Sequence, residues 1–422
     1  MTRRSVVTGI GVIAPGGGSR RAFWERITSG RSAIRRISSF DPGRFRSQVA
    51  AECDFDPAHY GLSARDVRRN DRFILMALAA AAEAVADAGF ALDDLDQDRL
   101  GVLLGSAVGS TIRLEEEYVQ ASDAGSTWTV DGSHVMPFLY QALVPSSLAA
   151  EVAIRYGAHG PVSAISTGCT SGVDAIGIAR DLIMDDEADV VITGASDAPI
   201  SPITVACFDA IRATSPLNDD PPSASRPFDA ERCGFVLGEG SAVLIVEELS
   251  HALKRGAEVY CEISGYACRA NAFHMTGLAP NGTEMGEAIR DAVCQARLDP
   301  DDLDYVSAHG SGTRQNDRHE TAALKLALGP AAWRVPVSSI KSSVGHSLGA
   351  IGSLEMAACA LAIRHGVIPP TVNLRVRDTE CDLDYVPGCA REKRVDHALS
   401  VASGFGGFQS AMVFSRLGER VG

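Results

Sequence analysis

The chain has 422 residues, with 39 Lys and Arg against 53 Asp and Glu, a formal charge of −14 at pH 7. That balance excludes the basic footprint of a general nucleic-acid binder. Hydrophobic residues make up 45% and charged residues 22%, which excludes a disordered chain, and no apolar run reaches the ~18 residues of a membrane span.

The length suits two or three domain-sized cores. After Arg3 and Arg4 the chain enters a strand-like run too short for a signal-peptide core, so a cytoplasmic location is expected. The ten cysteines form no CxxC pair and no zinc-type spacing with histidine, so no metal is expected and most read as small buried hydrophobes.

Strand-like and helix-like runs alternate. Val6–Gly11 reads as a strand and Asp71–Ala88 as an alanine-rich helix stopped by Gly89. Val102–Gly105 is a short apolar strand. Gly109–Pro145 mixes acidic residues, Gly, Trp and Tyr, and reads as an irregular insertion of the kind that serves function or an interface. Val162–Ser166 then leads through a small-residue turn into a helix over Gly172–Met184. Val190–Thr193, Ala242–Glu247 and Glu258–Ala267 are strand-like, with a helix at Glu248–Arg255. Helices at Met285–Ala296, Asp317–Leu328 and Leu348–Arg364 alternate with strands at Tyr305–Ala308 and Val337–Ile340. This alternation predicts α/β layering. One element recurs: strand, small-residue turn, reactive side chain, Gly/Ala-rich helix, once around Cys169 and once around His346. The repeat suggests a duplicated half-domain that brings the two side chains together.

Several residues suit chemistry. Cys169, in Ser166-Thr-Gly-Cys-Thr-Ser-Gly172, precedes a helix, whose N-terminus favours a thiolate. A buried cysteine in a tight turn is the plain alternative. His309, in Ala308-His-Gly-Ser-Gly-Thr313, and His346, in Val344-Gly-His-Ser-Leu-Gly349, each sit at a strand-end turn among glycines. At a helix start the dipole disfavours imidazolium, so His346 is expected to be neutral with one N–H to donate. His274 is a weaker candidate. Lys341 follows an apolar strand; burial there demands a carboxylate partner, for which Glu320 is chosen. Gly404-Phe-Gly-Gly407 reads as a mobile turn or a backbone amide near a site, with a tight hairpin turn as the plain alternative. No P-loop or HExxH is present.

Together with Arg226-Pro-Phe-Asp-Ala-Glu-Arg232, these motifs, in this order along nearly the whole chain, resemble the β-ketoacyl synthase family of the thiolase superfamily. Within it, His309-Gly-Ser-Gly-Thr313 and the cysteine motif are most similar to the ketosynthase α subunit of bacterial type II aromatic polyketide synthases. The fatty-acid branch usually shows an HGTSTP-type stretch at 309 and an acidic residue where this chain has Asn271, so homodimeric fatty-acid elongation is the alternative. A non-catalytic partner subunit is a third reading, disfavoured by Cys169.

The resemblance implies the thiolase fold, with two similar α/β halves at 1–252 and 253–422 in five layers. It implies an acyltransferase in which Cys169 takes an acyl group from acyl carrier protein and then receives the enolate of a decarboxylated malonyl unit. His309 and His346 would donate to the malonyl thioester oxygen. Lys341 would orient His309, with Glu320 balancing its charge. The backbone N–H groups of Cys169 and Phe405 would hold the acyl intermediate's oxyanion, and the Phe405 ring would gate malonyl access. Ser311 and Thr313 would contact the carrier's phosphopantetheine arm; no cofactor is bound by the chain itself. Phe208 and Val108 would line the acyl pocket. The partners implied are acyl carrier protein and a chain-length-factor β subunit in a heterodimer, with the insertion as candidate interface. Because carrier and chain are both acidic, docking needs a local basic patch; Arg65, Arg68, Arg69 and Arg72 form one candidate, which Arg212 could join, with a plain solvated helix face as the alternative. Arg68 and Arg69 are its centre.

Overall fold

A computed structural model describes residues 3–127 and 132–418. Its centre is a ten-stranded mixed sheet. In chain order the strands are β1 (Ser5–Ile13), β2 (Leu100–Gly105), β3 (Val162–Ile165), β4 (Val190–Asp197), β5 (Gly240–Glu248), β6 (Cys261–Ala270), β7 (Tyr305–Ser307), β8 (Val337–Ser338), β9 (His397–Gly404) and β10 (Phe408–Ser415). They lie in the order β8-β7-β9-β10-β6-β1-β5-β4-β2-β3.

The two sides of this sheet repeat one another. From the rim inward the first five strands run β3-β2-β4-β5-β1 and the second five run β8-β7-β9-β10-β6, the same order with β1 matched to β6. Polarity repeats too. β2 is parallel to β3 and β4, while β5 is antiparallel to β4 and β1. β7 is parallel to β8 and β9, while β10 is antiparallel to β9 and β6. The halves join through a short β1–β6 ladder, Val6 opposite Glu262 and Val7 opposite Cys261.

The helices that matter are α1 (Arg72–Ala88), α2 (Ser147–Tyr156), α3 (Ser171–Met184), α4 (Thr283–Gln295), α5 (Arg314–Leu328) and α6 (Gly349–His365). Side-chain alternation along the strands splits the core into layers. On β5, Val243 and Ile245 face α1 and α2, packing with Phe73, Met76, Leu148 and Val152. Leu244 and Val246 face the other way, onto Val173 and Ile176 of α3 and Ile351 and Leu354 of α6. On β10, Met412 and Phe414 face that same central layer, while Ala411 and Val413 face Met285, Ile289 and Leu324 of α4 and α5. The result is α-β-α-β-α, as the thiolase fold requires.

α3 follows β3, and α6 follows β8, its counterpart in the second half. The two helices meet in the central layer because small residues let them. A Cβ on Gly172 would lie 2.6 Å from the backbone N of Ser353, and one on Gly352 would lie 2.8 Å from Cγ2 of Val173. The turns leading into both helices therefore share one site.

The expected elements form, mostly with boundaries shifted by a few residues. The insertion reading is corrected. Within Gly109–Pro145 lie helices at Thr111–Ala121 and Leu139–Leu143; residues 128–131 of it lie outside the described residues. Thr111–Ala121 buries Glu117 and Ala121 but exposes Tyr118 and Val119, so its polarity pattern looked irregular in isolation.

Candidate active site

Cys169 lies in a 3₁₀ turn, Gly168–Thr170, between β3 and α3. Ser171 locks that turn, its hydroxyl donating to the Gly168 carbonyl at 2.6 Å and accepting from Thr167 N–H at 3.0 Å. The Phe405 backbone N–H lies near the sulfur and favours its charged form. Phe405 belongs to the hairpin turn that joins β9 to β10, where Gly404 pairs with Phe408, so the hairpin reading and the near-site reading of the glycine motif both hold. The expected acidic thiol is not found. Burial pushes the Cys169 thiol up to about 12, against the pull of the Lys341 charge and the Phe405 N–H. Desolvation of the thiolate outweighs those two pulls.

The two histidines converge. Their ring centroids are 5.4 Å apart and nearly perpendicular, at 81°, and both are buried. Nδ1 of His346 accepts the Leu348 N–H at 3.1 Å, so the neutral ring carries its proton on Nε2. Leu348 adopts φ 50°, ψ −116° to make this bond, a strained conformation for a branched residue and of a kind that gathers at functional sites. Burial, reinforced by Lys341, holds both imidazoles well below the usual histidine range. His309 is fixed through its backbone: His309 N–H donates to Oε1 of Glu320 at 2.6 Å and Gly310 N–H to Oε2 at 2.8 Å.

The expected pairing of Lys341 with Glu320 is corrected. Lys341 forms its ion pair with Glu355, both side chains fully buried on facing elements. Glu320 feels the Lys341 charge, yet its oxygens are taken by the loop at His309 and Gly310. Glu320, not Lys341, thus orients that loop. Burial raises both carboxyls, Glu320 to about 8 and Glu355 to about 7.

One pocket of about 210 Å³ gathers Cys169, His309, His346, Phe405, Ser311, Thr313, Phe208 and Val108. The Thr313 hydroxyl caps α5 by accepting from Asn316 N–H and lies 3.0 Å from the Ser311 hydroxyl. Phe208 packs edge-on against Phe235 and lies 6.4 Å from Phe405 between ring centroids. His274 does not line the pocket; its Nδ1 accepts from Thr276 and Gly277 N–H groups, holding a turn whose next residues do. The basic cluster divides. Arg65, Arg68 and Arg212 are exposed. Arg69 pairs with Glu151 at 3.2 Å. Arg72 leaves the cluster: it is half-buried and bound to Glu239 at 2.7 Å.

Sequence reasoning missed Glu355, Asp197, Phe235 and Leu278. Glu355 carried a signal, the one acid in the apolar run of α6. Asp197 ends the apolar β4 and accepts from the N–H groups of Ala107 at 2.9 Å and Gly349 at 2.8 Å, tying the pocket wall to the start of α6. Chemically, the site offers a thiol beside a backbone N–H and two neutral imidazoles converging on the same space. That set can transfer an acyl group to sulfur and stabilise an enolate next to it.

Comparison with known proteins agrees. The family model "Beta-ketoacyl synthase, N-terminal domain" matches residues 2–252, and "Beta-ketoacyl synthase, C-terminal domain" matches 260–375. The chain is 61% identical over 415 residues, 98% of each protein, to a putative polyketide beta-ketoacyl synthase 1 of Streptomyces halstedii. It is 60% identical over 414 residues, 98% of this chain and 97% of the other, to the tetracenomycin polyketide synthase ketoacyl synthase alpha subunit of Streptomyces glaucescens. Identity to the 3-oxoacyl-[acyl-carrier-protein] synthase 2 of Synechocystis sp. is 40% over 418 residues, 98% of each. The ketosynthase AntDE, solved with its type II acyl-carrier protein AntF and a hexaketide, is similar at TM-score 0.93 and 36% identity, covering 99% of this chain and 100% of that one. The ishigamide ketosynthase/chain length factor is similar at TM-score 0.91 and 32% identity, with the same coverage. With both family models and relatives matched along nearly its full length, the chain belongs to the β-ketoacyl synthase family.

Proposed function

We propose that this chain is the ketosynthase α subunit of a bacterial type II aromatic polyketide synthase. The single observation that carries the chemistry is the convergence of the Cys169 thiol, the Phe405 N–H and two neutral imidazoles in one pocket. Cys169 attacks an acyl thioester on acyl carrier protein, forming acyl-S-Cys169 and releasing the carrier thiol. The N–H groups of Cys169 and Phe405 hold the tetrahedral oxyanion. A malonyl-carrier thioester then enters with its arm along Ser311 and Thr313. It loses CO₂, and His309 and His346 donate to the enolate oxygen. The enolate carbon attacks the Cys169 thioester, a carbon–carbon bond forms, and the sulfur leaves and regains a proton. The product is a carrier-bound β-ketoacyl chain two carbons longer. Phe405 gates the pocket, and Phe208 and Val108 line the acyl space.

Identity supports the polyketide branch, at about 60% to the Streptomyces proteins against 40% to the Synechocystis one. A pocket of about 210 Å³ falls below the ~300–1,000 Å³ of most small-molecule sites, so a growing chain needs room beyond it. A chain-length-factor partner supplies that room. Its contact face combines the exposed apolar side of Thr111–Ala121 and Leu139–Leu143, with Tyr118, Tyr140 and Leu143, and the open edge strand β3. The halves at 1–252 and 253–422 and the cytoplasmic setting belong to the same proposal; the repeated strand order supports the first.

The test is reconstitution. Purified chain with malonyl-acyl carrier protein is expected to show low activity alone, rescue by a co-expressed chain-length factor, and a one-to-one complex by native mass spectrometry. A fully active homodimer extending saturated chains alone rejects the polyketide reading in favour of fatty-acid elongation.

A further inference from the structure

We infer that Asp174 is the positioning residue that sets Cys169 against the Phe405 N–H for acyl transfer. Asp174 lies one turn into α3 and is buried. Its oxygen Oδ2 accepts from the hydroxyls of Thr167 at 2.5 Å and Thr170 at 2.7 Å, one on each side of Cys169. Its other oxygen, Oδ1, accepts from the hydroxyls of Tyr266 at 3.0 Å and Ser410 at 2.6 Å. One oxygen thus grips the nucleophile turn of the first half and the other grips two strands of the second half.

One of them, β10, leaves the turn that carries the other side of the oxyanion hole. Ser410, on β10, pairs across the hairpin with Ala402, two residues before Gly404 and three before Phe405. The carboxylate therefore links the backbone that supplies the Cys169 N–H to the hairpin that supplies the Phe405 N–H. An ionised carboxylate is acceptor-only with about four lone-pair sites, and hydroxyls fill all of them. Burial and the nearby Asp174 charge keep the Tyr266 phenol protonated and hence a donor. The phenol reaches Asp174 because residue 177 is glycine: a Cβ there would lie 2.5 Å from the Tyr266 ring. Asparagine at 174 keeps one acceptor oxygen and turns the other into an NH₂ donor, so one of the two grips is lost while size and burial are kept.

The inference rests on the acyl-transfer reading above, and the two fail separately. The experiment uses the full chain in its active complex. It measures acylation of Cys169 by a small acyl thioester, CO₂ release from malonyl-acyl carrier protein without primer, and the thermal midpoint. Acylation uses the Cys169–Phe405 hole; CO₂ release uses the histidine pair. Asp174→Asn is expected to slow acylation about 10- to 100-fold, the range for a misplaced reacting group, with CO₂ release within about twofold of wild type. Tyr266→Phe with Ser410→Ala removes the bonds to Oδ1 alone and is expected to show the same split, which keeps the idea testable if the asparagine variant does not fold. Unchanged acylation in a folded variant, or acylation and CO₂ release falling in step with the thermal midpoint, overturns it. Absence of CO₂ release from the wild-type complex rejects the function proposed above, while acylation still reads on Asp174.

Discussion

Leu348 donates its backbone N–H to Nδ1 of His346 at 3.1 Å, from a backbone conformation with φ 50°. A buried ring with that nitrogen occupied as an acceptor has Nε2–H left for a substrate oxygen. His309 lies beside it, its ring plane at 81° and its centroid 5.4 Å away; under the proposed function the two rings donate together to the developing enolate oxygen.

This arrangement fixes a pH dependence. Burial lowers both imidazoles well below 6.5, so both remain neutral donors as pH falls through the ordinary histidine range. CO₂ release from malonyl-acyl carrier protein is expected to stay flat from pH 8 to pH 6. The sign for stability follows from the same shift. Above pH 6.5 the histidines are neutral folded or unfolded; below it the unfolded chain gains protons that the folded one refuses. Stability is therefore full above 6.5 and declines as pH drops beneath it. A half-loss of CO₂ release at pH 6.5, under conditions where the protein remains folded, contradicts neutral buried donors.

The thiol gives the opposite profile. Burial raises Cys169 to about 12, so the resting sulfur is protonated at pH 7. Alkylation of Cys169 by iodoacetamide is expected to keep rising with pH through 9, about tenfold per unit, because only the thiolate reacts. A plateau near pH 7, read by mass spectrometry of the Cys169 peptide, refutes the shift.

The strands, the buried helices and the reactive turns at Cys169, His309 and His346 were legible because each is local: a period, a glycine-rich turn, a reactive side chain; their convergence was legible only through the repeated strand–turn–helix element and the family resemblance. Partner choice was not. Glu320 and Glu355 are both buried acids within reach of Lys341's field, and only the packing of α6 against the Lys341 turn selects Glu355. The thiol shift was hidden for a related reason. A helix N-terminus is visible in sequence, but the depth of burial that raises the thiol is a property of the assembled layers. Thr111–Ala121 was obscured because its exposed face carries Tyr118 and Val119, which makes a helix's polarity pattern read as noise.

The Lys341–Glu355 pair yields a stability test that separates folding from chemistry. Removing one member strands a buried charge and costs about 3–5 kcal/mol, whereas replacing both with apolar residues of similar volume is near neutral. Glu355→Leu alone is expected to lower the thermal midpoint sharply. Glu355→Leu with Lys341→Met is expected to restore it. CO₂ release should recover only in part in the double variant, since the Lys341 charge that reinforces burial in keeping His309 and His346 neutral is gone. Full recovery of both makes the pair purely structural.

Under the proposed function, arginines that the fold leaves free are the expected docking surface for the carrier. Arg68 is exposed with no ion-pair partner among the described residues, while Arg69 spends part of its charge on Glu151. An acidic carrier approaching a chain of net charge −14 needs such a local patch. Arg68→Glu is expected to weaken turnover with the carrier-bound substrate about tenfold or more, through the KM for carrier, and to steepen as ionic strength falls. Turnover of a small thioester, which needs no docking, should hold. Arg69→Glu adds a second effect: it sets two carboxylates against each other at Glu151 and should also lower the thermal midpoint. Equal losses on carrier-bound and small substrates after Arg68→Glu place the carrier's contact elsewhere.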